Sequence, residues 1–207
     1  MSFSELVSKD IQDLKNRGFN FTTDWFHYGI KNDISKTINI NTNQKVNILE
    51  IGAFEGKSTL WFIETYLQDP ESRITVIDPF LESDETTNVT NETFDIFCKN
   101  MELTNQIKKI KHYRQKSREV LIEFNAYPKS NQFDIIFIDG SHLKKDIIID
   151  ILLTWDLLKI GGYMILDDYK SPSSAVYDCI TFFLSCLIKK EYRILHDTYQ
   201  LILTKLN

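Results

Sequence analysis

The chain has 207 residues, enough for one domain with a full hydrophobic core and too few for two large ones. Apolar residues make up 43% and aromatics 13% of it, which excludes a disordered or fibrous chain. A formal charge of −5 with no long basic run argues against general affinity for a phosphate backbone, so nucleic acid is an unlikely partner. The local group Lys108, Lys109, Lys111, His112 and Arg114 reads as a solvated strand face. Cys98, Cys179 and Cys186 are odd in number and lack metal-ligand spacing, and the last two stand one heptad apart on an apolar run. All three therefore read as reduced core residues. The opening residues have no apolar centre of signal-peptide type, and 179–188 is too short to cross a bilayer, so the expectation is a cytoplasmic protein without a membrane partner.

In chain order, residues 1–40 read as a polar, helical lead-in with Trp25, Phe26 and Tyr28 as anchors, a candidate substrate cover or homodimer contact. From 41 to 207 apolar strands alternate with amphipathic segments, the organisation of an α/β sheet. Strands are expected at 46–51, 73–78, 108–114, 133–139 and 162–167, with helices near 57–67, 92–103, 117–124, 143–158 and 174–188. Gly161 and Gly162 read as a turn before the fifth strand. The polar stretch 82–92 reads as a surface loop that could close over the strand ends as a mobile lid. Two last strand-like runs, 192–195 and 199–205, are joined by too few residues for a parallel crossover, so the final strand must run antiparallel to the one before it.

The chemistry gathers where strands stop. Glu50, Ile51 and Gly52 close the first strand and Gly56 opens a helix, a tight turn that lets backbone come close to a ligand. Helix N-terminal amides and Ser58 offer donors to an anionic or polar group there. A dinucleotide fingerprint needs glycine at 52, 54 and 57, and this chain has Phe54 and Lys57, so pyrophosphate is disfavoured. Asp78 ends the second strand where an acid takes both ribose hydroxyls of either a nicotinamide or an adenosyl cofactor. Asp139, Asp167 and Asp168 end two consecutive strand runs; neighbouring strands lie ~4.8 Å apart, so the three acids converge at one sheet edge. Oxygen ligands without a nearby cysteine favour a hard octahedral cation such as Mg²⁺. The competing reading is that these aspartates cap the following helices or satisfy the sheet edge, since Asp167 and Asp168 point to opposite faces while the strand lasts. His142 stands three residues after Asp139, and its near-neutral pKa suits proton removal; a helix-capping histidine is the alternative. His27, His112 and His196 lack a partner pattern and read as structural.

Segments 48–59, 77–78, 133–142 and 158–169, in that order, resemble the serial motifs of the S-adenosylmethionine-dependent methyltransferases. The closest branch is the small metal-dependent O-methyltransferases similar to catechol and macrolide-sugar enzymes, and the resemblance covers about 46–205. It implies a single-domain Rossmann-like, seven-stranded, mostly parallel sheet with a C-terminal antiparallel hairpin and helices on both faces. It implies Glu50, Gly52, Ala53 and Phe54 around the methionine part of S-adenosylmethionine, Ser58 near its carboxylate, Asp78 on the ribose, Ser117 near the adenine, and Asp139 beside the cofactor. It also implies Asp139, Asp167 and Asp168 as ligands of Mg²⁺, with His142 as base and Asp139 in the catalytic set. Many relatives carry Tyr where this chain has Lys144, which either holds an anionic substrate or faces solvent. The reaction implied is methylation of a hydroxyl on a small molecule, most simply a vicinal diol that chelates the ion, with a sugar slightly preferred over a catechol. Methylation of an RNA cap or ribose, and a catalytically silent adenosyl-cofactor-binding or regulatory module, are the alternatives. An NAD-dependent oxidoreductase is disfavoured by the missing glycines.

Overall fold

The computed structural model describes residues 3–81, 89–127, 132–171 and 174–207. Most of the expected lid, residues 82–88, lies outside the described residues. Strands β1 (Asn47–Ile51), β2 (Arg73–Ile77), β3 (Ile110–Tyr113), β4 (Phe133–Ile138), β5 (Leu158–Leu166), β6 (Tyr192–Asp197) and β7 (Leu201–Lys205) form one sheet in the order β3-β2-β1-β4-β5-β7-β6. The first five strands pair in parallel, and β7 is antiparallel to both β5 and β6, as the short final connection demands.

Each parallel strand is sandwiched, and period-2 alternation sends its side chains to two cores. Ile48 enters the core beneath α2 (Tyr28–Thr37), α3 (Lys57–Tyr66) and α4 (Asn91–Leu103), with Ile34, Phe62 and Phe97. Leu49, one residue on, enters the opposite core beneath α5 (Ser117–Ala126), α6 (Lys144–Leu157) and α7 (Ser174–Cys186), with Leu121, Ile151 and Phe183. Strand order reverses between β1 and β4, so their carboxyl ends frame the crevice where open α/β sheets bind ligands.

The lead-in holds α1 (Phe3–Asn16) and α2, and the segment between them is fastened to the body. Phe26 is buried against Trp61, Phe62 and Phe137, at 5.4, 6.2 and 5.8 Å between ring centroids. The Thr22 amide and hydroxyl donate to Glu55 at 2.6 and 2.7 Å, and Lys57 pairs with Asp24.

Three expectations are corrected. Strand β5 begins at Leu158, directly after α6, so Gly161 at φ +79° lies inside the strand and not in a turn before it. The β4–β5 register slips between Phe133 and Ile135, and glycine absorbs the extra residues as a bulge. Cys186, the last residue of α7, is exposed, whereas Cys179 is buried and Cys98 half-buried. Strand β3 is shorter than expected because a 3-10 turn at Ile107–Lys109 precedes it. It is the edge strand; Lys111 lies over the Tyr113 ring at 4.7 Å and Arg114 over Phe94 at 4.4 Å, so this basic group is a solvated face.

Candidate active site

At the end of β1 the chain turns through Gly52 at φ +81°, where an added Cβ would lie 1.8 Å from the Asp139 carbonyl oxygen. Only glycine permits this contact, which draws the exits of β1 and β4 together. At the next turn Gly56, φ +84°, caps α3, and a Cβ there would meet Met101 at 2.7 Å.

Asp78 organises this loop. One of its oxygens accepts the Ala53 and Phe54 amides at 2.8 and 3.0 Å, and the other accepts the Phe80 amide at 2.7 Å. Glu50 is buried beneath the loop and accepts the hydroxyls of Ser58 and Thr59, the latter at 2.6 Å. Burial pushes its carboxyl up to about 7 against the pull of those two hydroxyls, and the charge of Asp78 adds to the rise. The Ser58 hydroxyl is thus engaged by Glu50, leaving the backbone amides at the start of α3 as donors at this turn. Ser117 is the first residue of α5; burial pushes the carboxyl of Asp150 in α6 up to about 7, with Ser117 pulling against the rise.

The acids do meet at one edge. The Asp139 amide donates to Ile51 O at 2.8 Å and the Asp167 amide to Ile138 O at 3.0 Å, which zips the strand exits in the order β1, β4, β5. Strand β5 stops at Leu166, and Asp168 adopts φ +54°, so the alternation that would part Asp167 from Asp168 ends just before them. Asp168 accepts from His142 Nε2 at 2.8 Å and from the Tyr199 hydroxyl. Burial favours its neutral form, but these two bonds and the charge of His142 outweigh it and hold the carboxyl below its ordinary value. Asp167 accepts Gln200 Nε2 at 2.8 Å and is pushed up to about 6, by burial first and then by Asp168. Asp139 stands well above the ordinary carboxylate range, through burial and then through Asp167, Asp168, Glu50 and Asp78. A small cleft runs from Asp139, His142 and Asp168 down to an apolar floor that includes Ile151 and Val176.

Mutually repelling oxygen donors suit a hard divalent cation in chemistry. Among the described residues, however, no three or more ligating side chains are arranged as a metal site; Asp168 is held by His142 and Tyr199, and Asp167 by Gln200. Lys144 faces outward and pairs with Asp178 at 2.7 Å. His27 caps α2 by accepting the Gly29 amide at 3.0 Å, a structural role as expected.

Four residues here escape a reading by local pattern. Tyr199 and Gln200 lie in the turn before β7, and Leu201 pairs with Leu166, so an antiparallel β7 must deliver them to the acid edge. The expected final hairpin contains that signal. Asp150 is hidden within an apolar helix, 2% exposed. Trp25 is 53% exposed, with its ring 4.8 Å from that of Phe54 in the cofactor loop, a contact no local pattern encodes.

Residues 49–169 match the family described as "Methyltransferase domain". A curated relative, an uncharacterised protein of Acanthamoeba polyphaga mimivirus, is 26% identical over 147 residues, which is 70% of this chain. The chain spans 59% of that relative's length. Among solved structures, an O-methyltransferase from Bacillus cereus in complex with S-adenosylhomocysteine has a TM-score of 0.60 at 17% identity, covering 98% of this chain and 91% of that one. A methyltransferase of mycinamycin biosynthesis, in complex with Mg, S-adenosylhomocysteine and mycinamycin VI, has a TM-score of 0.56 at 17% identity, covering all of this chain and 55% of that one. The sheet order, the loop after β1 and the family match over more than half the sequence have one conclusion: the chain is a member of the methyltransferase-domain family and has the Rossmann-like methyltransferase fold.

Proposed function

We propose that the protein transfers the methyl group of S-adenosylmethionine to a hydroxyl of a small molecule, a vicinal diol, with a sugar ring preferred over a catechol. The observation that carries this reading is the meeting of the β1 loop, organised by Asp78, with the His142–Asp168–Tyr199 group at the exits of β4 and β5. Methyl transfer from a sulfonium is an in-line displacement: the carbon–sulfur bond breaks, its electron pair stays on sulfur, and the substrate oxygen bonds to the methyl carbon. The hydroxyl proton must leave, and His142, oriented by Asp168, is the group that accepts it. Tyr199 and Gln200 hold the two carboxylates in place during this transfer.

Mg²⁺ held by Asp139, Asp167 and Asp168 would supply Lewis-acid activation of a chelating diol and relieve the repulsion among those acids. The tilted Trp25–Phe54 pair, at the loop after β1, offers apolar ring surface to the substrate ring. The net charge of −5 favours a small substrate over RNA.

The test is calorimetric titration of S-adenosylmethionine and S-adenosylhomocysteine into metal-stripped protein, repeated with Mg²⁺ and with Asp78→Ala. Loss of Asp78 frees three loop amides, so affinity is expected to fall at least about tenfold, ~1.4 kcal/mol. Absence of binding to either compound, with and without Mg²⁺, overturns the reading. Diols are then screened as acceptors with labelled cofactor.

A further inference from the structure

Phe54 is a strained residue in the loop after β1. Besides Asn105, the described residues other than glycine with positive φ are Phe54, Phe80 and Asp168, at +50°, +49° and +54°, which stand just past the ends of β1, β2 and β5. Asparagine is at ease in this left-handed region; an aromatic residue is held there at a cost and persists only where its surroundings fix it. Phe80 is fixed by burial among Phe94 and Phe97, and Asp168 by His142 and Tyr199. Phe54 is half-buried: its amide donates to Asp78, and its ring rests on that of Trp25, 4.8 Å away.

Trp25 is largely exposed and adds little to the core, yet the segment that carries it is firmly docked. Alternate residues Asn20, Thr22 and Asp24 each meet a buried polar side chain at the rim of the loop. Asn20 exchanges hydrogen bonds with Asn100 at 2.8 and 2.9 Å, and Asn100 also donates to Glu55 O at 2.9 Å. Thr22 donates twice to Glu55, and Asp24 pairs with Lys57. Releasing the segment would strand those buried groups. Trp25 is thereby braced over Phe54, with little conformational freedom left to lose.

We infer that Trp25 is a positioning residue: braced by the lead-in, its ring keeps Phe54 left-handed and so holds the loop after β1 in the shape that receives the cofactor. This rests on the proposed S-adenosylmethionine reading. With Trp25 truncated, Phe54 relaxes toward ordinary φ, and binding must restore the strained turn. Glycine at position 54 adopts that turn without strain and needs no brace.

The experiment measures the affinity of the full chain for S-adenosylhomocysteine by calorimetry, with no acceptor present, in the wild type, Trp25→Ala, Phe54→Gly and the double variant. Trp25→Ala is expected to weaken binding at least about tenfold in the wild-type background, within the cost of a residue held in the left-handed region. In the Phe54→Gly background it is expected to weaken binding less than about twofold, the scatter seen for independent sites. Equal weakening in both backgrounds, as from lost fold stability or a lost direct contact with the ligand, overturns the inference. So does a Trp25→Ala protein that binds like the wild type. A folded Phe54→Gly protein without affinity would show that the ring itself holds the ligand, which also overturns it. Phe54→Asn takes the place of Phe54→Gly should the latter not fold. A wild type that does not bind S-adenosylhomocysteine, with or without Mg²⁺, overturns the cofactor reading and this inference with it.

Discussion

Tyr199 shows how much one side chain from a distant element contributes to this site. Its hydroxyl donates to Asp168, whose other oxygen holds His142, and a hydrogen bond to a charged group contributes about 1.5–3 kcal/mol. Tyr199→Phe keeps the ring and removes only that donor. With a diol acceptor, kcat is expected to drop about ten- to hundredfold, the equivalent of that bond, with cofactor affinity unchanged; an unaltered kcat would exclude a role for the hydroxyl. Asp139, Asp167, Asp168 and His142 were legible from their positions at strand ends. Ser58 was legible only as a donor near the loop, because its actual partner, Glu50, lies eight residues back and beneath it. Asp150 was not legible at all, since burial is not written in local pattern, and Gln200 could be placed only through the expected hairpin.

At the scale of elements, the β1–α3 loop is held from two directions, by Asp78 at the end of β2 and by the segment entering α2. Phe26 anchors that segment in a pocket formed by α3 and β4, and Phe26→Ala should cost about 3–5 kcal/mol, the usual loss for a buried phenylalanine. Urea unfolding would read this directly. Because Thr22 grips Glu55, the same change is expected to raise the dissociation constant for S-adenosylhomocysteine as well; a purely global loss of stability would leave binding at low temperature unaffected. The expected helix and strand positions agree with the structure where apolar periodicity is strong. They fail at β5, where the Gly161–Gly162 pair resembles a turn until β4 is alongside and the bulge becomes apparent.

For the molecule as a whole, its buried acids make stability depend on pH. Glu50 and Asp150 both titrate near 7 in the folded state, above the ordinary carboxylate value, so the stability linked to their protonated forms is present below about pH 4 and is lost as pH rises through 7. Asp168 runs the other way: its stabilisation is present above the ordinary carboxylate value and is lost as pH falls through its depressed folded value. The midpoint of urea unfolding is therefore expected to be higher at pH 5.5 than at pH 8.5, and Asp150→Asn should flatten that difference. Mg²⁺ held by Asp139, Asp167 and Asp168, as proposed, would relieve their repulsion, so it is expected to raise the melting temperature of the wild type at pH 8 and have little effect on Asp139→Asn. Equal responses would place the cation elsewhere. Among the described residues no helix is long and apolar enough to cross a membrane.

Alternating apolar runs determined the strands, and a connection too short for a crossover determined the antiparallel hairpin, because period and chain length are local properties. Acids at strand ends marked the sheet edge where Asp139, Asp167 and Asp168 meet. What only the tertiary structure decided is which partner each polar group takes. Asp168 is bound to His142 and Tyr199, and Asp78 to the amides of the loop after β1. The reason is physical: a carboxylate is neutral, depressed or poised according to burial and the donors around it, and both come from residues far away in the chain.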